Sequence, residues 1–393
     1  MSEPTWKPFT DLVQVNPRPR SSETSIPYVG MEDVSNDGQL LRLGERDADS
    51  VSPGQPSFED HDVLFAKITP CMENGKGAYI EGLNGAVAYG STEFHVLRAR
   101  ANVNAKFIHY WTRVREFRRK AESMMIGTGG QRRVPTEFFA KISVPSLPPA
   151  EQRRVAETLD AISESEKAIQ ASVKKLRATA RALTDLLLSR LPWDSTLNDT
   201  LSGPPRNGHS PSATPEWTGI QMLGLGCLTT DGFQPTQLKN APLSVDSRHP
   251  AMLSNGDLLM SRANTRHLVG LVGIYRDVGT PCIYPDLMMR LRVSAASSPE
   301  FLAIVLRSSP ARRQIMNLSQ GTSESMVKIS SASARNIRIP LPSPAEQKQV
   351  VMAASQITQR IQDEQKKLTK LESLKRGIAD DLLTGNVRFQ KLQ

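Results

Sequence analysis

The chain has 393 residues, too many for one ordinary hydrophobic core, so two or more domains are expected. Charged residues make up 23% and hydrophobic ones 38%, and no apolar run approaches the ~18 residues needed to span a membrane. The net charge is +9, and three scattered cysteines, Cys71, Cys227 and Cys282, argue against a disulfide framework or zinc site and suit a reducing cytoplasm. The opening "MSEPTWKPFT" lacks a basic segment leading into an apolar run, so no secretory signal is expected.

Residues 1–145 read as the first domain. Short β-like runs ("DVLFAKI", "GAVAYG", "TEFHVLRA") alternate with helical patches such as 104–124, and turn signals interrupt them, which is the pattern of a compact α/β domain. Its charge is polarised: Glu23 to Asp62 holds ten acids and two bases, whereas Arg98 to Lys141 holds eleven bases and three acids. A basic face suits a polyanion, because neutralising phosphates releases counterions; charge alone is equally compatible with a solvated surface.

Residues 146–191 are helical. Val155, Leu159, Ile162, Glu166, Ile169, Val173, Leu176, Ala180, Leu183 and Leu187 alternate spacings of four and three, a heptad seam with one polar intruder. Pro, Ser, Gly and Asn dominate 192–216, which reads as a flexible or extended linker. A second domain is expected at 217–340 and a second helical region at 341–393. The latter's seam runs Val350, Ala354, Ile357, Ile361, Glu364, Leu368, Leu371, Ile378 and Leu382, with Leu374 or Lys375 blurring the register. Glu166 and Glu364 either set register or face solvent. Ser343-Pro-Ala-Glu346 has the form of a capping box, with serine at N-cap, proline at N1 and glutamate at N3. Pro148-Pro-Ala-Glu151 lacks the serine, so its cap is expected to be weaker. Pro192 and Gly385 mark the two helix ends.

The two halves repeat. "HDVLFAK" at 61–67 precedes "GDLLMSR" at 256–262 by 195 residues, and "GTGGQ" at 127–131 is echoed by "GTSES" at 321–325. "PSLPPAEQRRV" and "PLPSPAEQKQV" return at the same offset, as do the helix ends "TDLLLS" and "ADDLLT". A period this long implies duplication of a whole domain plus its following helix rather than a solenoid.

No catalytic kit is evident. "GTGGQRR" lacks the lysine and hydroxyl of a phosphate-binding loop, "LGLGC" lacks a dinucleotide-binding context, and no adenine-methyltransferase loop is present. The six histidines have no metal-ligand spacing. What remains is recognition by matched basic and amide-bearing loops. The first copy offers Lys67, Asn74, Lys76, Gln131, Arg132 and Arg133; the second offers Arg262, Asn264, Arg266, His267, Ser323 and Lys328. Arginine to guanine and Asn or Gln to adenine are common major-groove pairings, and neighbouring glycines let backbone approach a phosphate.

Together these residues resemble the specificity (S) subunits of type I restriction-modification systems. "DVLFAKITPCMENGKGA", "YGSTEFHVLR", "GDLLMSRANTRHLVG" and the twice-used P-x-x-x-P-A-E-Q carry the likeness, which covers nearly the whole chain. The resemblance implies two α/β target recognition domains alternating with two long helices that pair as an antiparallel coiled coil, related by a pseudo-two-fold internal duplication. It also implies double-stranded DNA as ligand, read as a bipartite asymmetric target, and two methyltransferase (M) subunits and restriction (R) subunits as partners. S-adenosylmethionine, ATP and Mg²⁺ would serve those partners, with no cofactor or metal on this chain. The alternatives are a coiled-coil scaffold or regulator without sequence-specific DNA reading, and a self-contained nuclease or methyltransferase, which the absent motifs disfavour.

Overall fold

The computed structural model describes residues 5–19, 23–52, 54–128, 130–321, 326–385 and 387. Among them are eight α-helices: α1 (Ala105–Trp111), α2 (Arg115–Ser123), α3 (Phe138–Lys141), α4 (Pro149–Ser189), α5 (Pro299–Arg307), α6 (Ser309–Leu318), α7 (Ser331–Arg335) and α8 (Pro344–Thr384). The chain divides into two units, residues 1–170 with 367–393 and residues 171–366.

In the first unit, strands Val13–Val15, Phe94–Ala99, Val63–Ala66 and Gly77–Tyr79 form an antiparallel sheet in that order. Val63–Ala66 is buried at every position, which is why it reads as an unbroken apolar run instead of an alternation. Side chains still alternate between faces. Val63 and Phe65 join a core with Phe9, Phe107, Phe117 and Phe139, while Leu64 and Ala66 join another with Val29, Phe58 and Ile80. A second sheet orders Gly44–Asp47, Ser25–Val29, Ala88–Gly90 and Ser57–Phe58, its middle pair parallel.

The second unit repeats this plan. Arg206–Asn207, Met288–Leu291, Leu258–Ser261 and Val272–Ile274 form the antiparallel sheet, and Leu238–Asn240, Gln221–Leu223 and Cys282–Ile283 form the other, its last pair again parallel. The stretch 192–216 is not a free linker. Ser195–Thr196 pairs with Arg338–Ile339, Arg206–Asn207 is an edge strand, and Leu197 and Thr200 are fully buried. Its composition disguises this, because edge pairing uses backbone groups that a Pro- and Ser-rich segment still supplies between its prolines.

Helices α4 and α8 each have 41 residues, about 62 Å at 1.5 Å per residue. In the first unit Val155 and Leu159, near the start of α4, share a core with Leu382 and Leu383, at the end of α8. In the second unit Leu188, at the end of α4, shares a core with Val350, near the start of α8. The helices therefore run antiparallel. Of the remaining seam positions Val173 and Ile361 are buried, while Ile162, Ile169, Leu176, Leu183, Leu187, Ile357, Leu368, Leu371 and Ile378 are half-buried. Leu374 is 54% exposed, so Lys375 is the residue that continues the seam. The capping box forms: the Ser343 N–H donates to Glu346 Oε2 at 2.9 Å and the Ser343 hydroxyl to the same oxygen at 2.7 Å.

Candidate nucleic-acid interface

Each unit builds the same construction at the end of its central strand. In the first, Ile126 and Arg133 exchange backbone hydrogen bonds (3.0 and 2.8 Å), closing a hairpin over the glycine-rich loop. Thr69 N–H donates to the Arg132 carbonyl at 2.9 Å and Val134 N–H to the Lys67 carbonyl at 2.8 Å, which binds the hairpin to the segment leaving the strand. In the second, Gln320 and Lys328 exchange the equivalent pair (2.9 and 2.8 Å), Ala263–Asn264 pairs with Val327–Lys328, and Ile329 N–H donates to the Arg262 carbonyl at 2.9 Å. Lys67 and Arg262, Arg133 and Lys328, and Val134 and Ile329 all stand 195 positions apart. Stretches distant in sequence thus meet within each unit.

The candidate side chains divide into free and engaged groups. Asn74, Gln131, His267 and Lys328 are exposed. Arg133 is engaged with Glu93, through Nε at 3.0 Å and Nη2 at 2.8 Å, and Arg132 lies 3.5 Å from Glu73. Lys76 donates to the Met31 carbonyl at 2.6 Å and so fastens its own loop. Asn264 accepts from Thr265 N–H at 2.8 Å, and Arg266 donates to the Met316 carbonyl at 3.3 Å. Arg262 is half-buried. Ser323 lies outside the described residues.

Burial lowers the Lys67 pKa, with Arg133 adding to the effect and Glu93 opposing it. Lys67 also lines a cleft of about 650 Å³ with Asn16, Arg18, Gln55, Tyr89 and Thr92. Beneath the hairpin, His95 donates from Nε2 to the Val134 carbonyl at 2.8 Å and accepts at Nδ1 from the Asn16 amide at 3.2 Å. A carbonyl can only accept, so these partners select the neutral Nε2–H tautomer.

Three groups of residues went unmarked in the sequence. Glu93 and Glu73 neutralise the hairpin arginines across 40 or more residues, without a sequence signal. Gln152 and Gln347, the Q of the repeated A-E-Q, are buried at 3% and 4% exposure and fasten each long helix to its module. Their return at the common offset was the available signal. Arg113, Arg118, Arg307 and Arg312 hold backbone carbonyls around these loops, and the repeated R-x4-R spacing would have found them.

Among the described residues no cluster of three or more His, Cys, Asp or Glu side chains could hold a metal, and no helix is long and apolar enough to cross a membrane. No family model matches the chain. It is 34% identical over 162 residues to the specificity subunit of the type I restriction enzyme EcoEI of Escherichia coli, covering 39% of this chain and 26% of that one. The EcoAI specificity subunit of Escherichia coli matches similarly, at 34% over 155 residues and 26% of its length, so the chain spans about a quarter of these relatives. A longer match, 286 residues at 26% identity, joins 67% of this chain to 60% of the EcoKI specificity subunit of Escherichia coli K12. A solved chain from a study of complex assembly in a type I R-M system shares the fold over 98% of both chains, with a TM-score of 0.59 at 18% identity. Over the stretches matched, the chain is similar to the specificity subunits of type I restriction enzymes.

Proposed function

We propose that this chain is a non-catalytic subunit that reads a bipartite, asymmetric DNA target and positions the methyltransferase and restriction subunits of a type I restriction-modification complex. The first half-site is read by the module of residues 1–145. The second is read by 217–340, together with the 192–216 stretch that the fold adds to it. The paired helices of 146–191 and 341–393 carry two M subunits. S-adenosylmethionine, ATP and Mg²⁺ are used by partner subunits in the cytoplasm.

One observation supports this most directly. The two units repeat a strand-and-hairpin construction while changing its side chains: Lys67 against Arg262, Gln131 against Met326, Arg133 against Lys328. Like backbones with unlike side chains are suited to two different base sequences. The proposed readers are Lys67, Asn74, Lys76, Gln131, Arg132 and Arg133, and Arg262, Asn264, Arg266, His267, Ser323 and Lys328. The test is a genome-wide N6-methyladenine map of the host with and without the gene. Loss of one bipartite asymmetric motif is expected. An unchanged map, with the neighbouring methyltransferase expressed, would favour a coiled-coil scaffold without sequence-specific DNA reading.

A further inference from the structure

Between α1 and α2 and within α2, Arg113 and Arg118 direct their guanidinium groups at main-chain oxygens. Arg118 donates to the Met72 carbonyl at 2.6 Å and the Gly75 carbonyl at 3.1 Å. Arg113 donates to the same Gly75 carbonyl at 2.6 Å and to the Asn36 carbonyl at 2.7 Å. In the other unit Arg312 donates to the Val269 carbonyl at 2.6 Å and the His267 carbonyl at 3.0 Å, and Arg307 to the Asp231 carbonyl at 3.0 Å. The arginines correspond at an offset of 194, and two of their acceptor pairs, Met72 with His267 and Asn36 with Asp231, at 195.

These contacts are unusual in their chemistry. None of the four arginines forms a salt bridge among the described residues, and burial lowers the pKa of each, that of Arg118 to about 9. A desolvated guanidinium facing carbonyls forgoes the stronger charge-assisted bond to a carboxylate. In Arg118 and Arg312 it gains a rigid fork that spans two carbonyls of one loop. The bracketed residues are candidate readers or their neighbours: Asn74 lies between Met72 and Gly75, and Leu268 between His267 and Val269. Gly75 has φ +91°, and a Cβ there would stand 2.5 Å from the Asn36 carbonyl oxygen, so the tight approach requires glycine.

We propose that Arg118 and Arg312 are positioning residues, one for each DNA-reading loop, and that each governs discrimination at one half-site only. This rests on the DNA-reading function above. Lysine keeps the charge but cannot bridge two carbonyls in fixed geometry, so Arg118→Lys and Arg312→Lys isolate the fork.

The experiment introduces each variant into the complete complex in its host and maps N6-methyladenine, alongside backbone hydrogen exchange on the purified full chain. Expected for Arg118→Lys is about tenfold weaker base discrimination in one half of the motif, with the other half unchanged. Arg312→Lys should show the reverse. Exchange should quicken at residues 73–76 or 268–270 and stay unchanged in the central strand of the same unit. Intact discrimination in both variants, or equal loss from both halves, overturns the clamps. Absence of any chain-dependent motif in the wild-type strain overturns the DNA-reading function, and this inference with it. Should Arg118→Lys exchange rapidly throughout its unit, Gly75→Ala disturbs the same contact from the loop side. It must then weaken the same half-site alone, and a motif unchanged in that variant overturns the clamp.

Discussion

The Lys375 ammonium lies 2.7 Å from the Glu166 carboxylate, and the two side chains are only 27% and 14% exposed. Two of the polar interruptions of otherwise apolar helix seams, one on each helix, thus answer each other. Removing one charge strands the other in a half-buried seam, whereas replacing both restores an apolar one. Glu166→Leu alone should destabilise the first unit by about 1–2 kcal/mol, and Glu166→Leu with Lys375→Leu should recover most of that. A double-mutant cycle on thermal or urea unfolding checks this; equal losses for single and double variants would remove the pair's role in register.

Gln347 Oε1 accepts from the Ser298 N–H and the Ser297 hydroxyl, while its amide donates to the Ala296 and Pro342 carbonyls at 3.0 Å each. Ser298 is also the N-cap of α5. Gln152 repeats the device with the N–H of Asn104, the N-cap of α1, at 3.0 Å and the Leu147 carbonyl at 2.8 Å. Leucine at either site would leave buried backbone groups without partners. Gln347→Leu should cost about 2–4 kcal/mol and Gln152→Leu somewhat less, in proportion to the bonds lost. Denaturant unfolding midpoints measure both.

Burial drives the His95 pKa down to about 4. In the unfolded chain it returns to about 6.5, so below that pH the unfolded state takes up the proton first. Its stabilising contribution is complete above pH 6.5 and is lost as the pH falls toward 4, at no more than about 1.4 kcal/mol per pH unit. Protonation would also abolish the Nδ1 acceptor that holds Asn16. His95→Gln should flatten the wild-type decline within that window. Unfolding curves at pH 7, 6, 5 and 4 supply the comparison, and parallel slopes would refute the assignment.

Glu93 masks Arg133 at the hairpin base. With Glu93→Gln the guanidinium becomes available to a phosphate, so non-specific duplex affinity should rise. The slope of log affinity against log salt should steepen by about 1. Fluorescence anisotropy over a salt series reads both, and an unaltered slope would mean that Arg133 faces no phosphate.

The duplication, the long helices and the Ser343 cap were legible because each depends on nearby residues or on a self-comparison that one chain contains. The choice between Leu374 and Lys375 was not, since heptad spacing allows either and the deciding partner, Glu166, belongs to the other helix. The same limit applies to the candidate interface. Nothing near Lys76 announces that it holds the Met31 carbonyl, and nothing near Arg133 announces Glu93. Residue type and spacing singled out the loops; that they meet, and which cations inside them are already committed, depends on contacts between distant segments.

The core that contains Phe9, Phe107 and Val155 also contains Leu382 and Leu383. A chain made from its amino end therefore cannot complete that core until residues 382 and 383 have emerged, although the module's strands were synthesised first. Residues 171–366, in contrast, are all present by then. The order of completion reverses the order of synthesis. A premature stop shortly before residue 382 would spare the later module and leave the earlier one open, with apolar surface at Val155 and Leu159 uncovered.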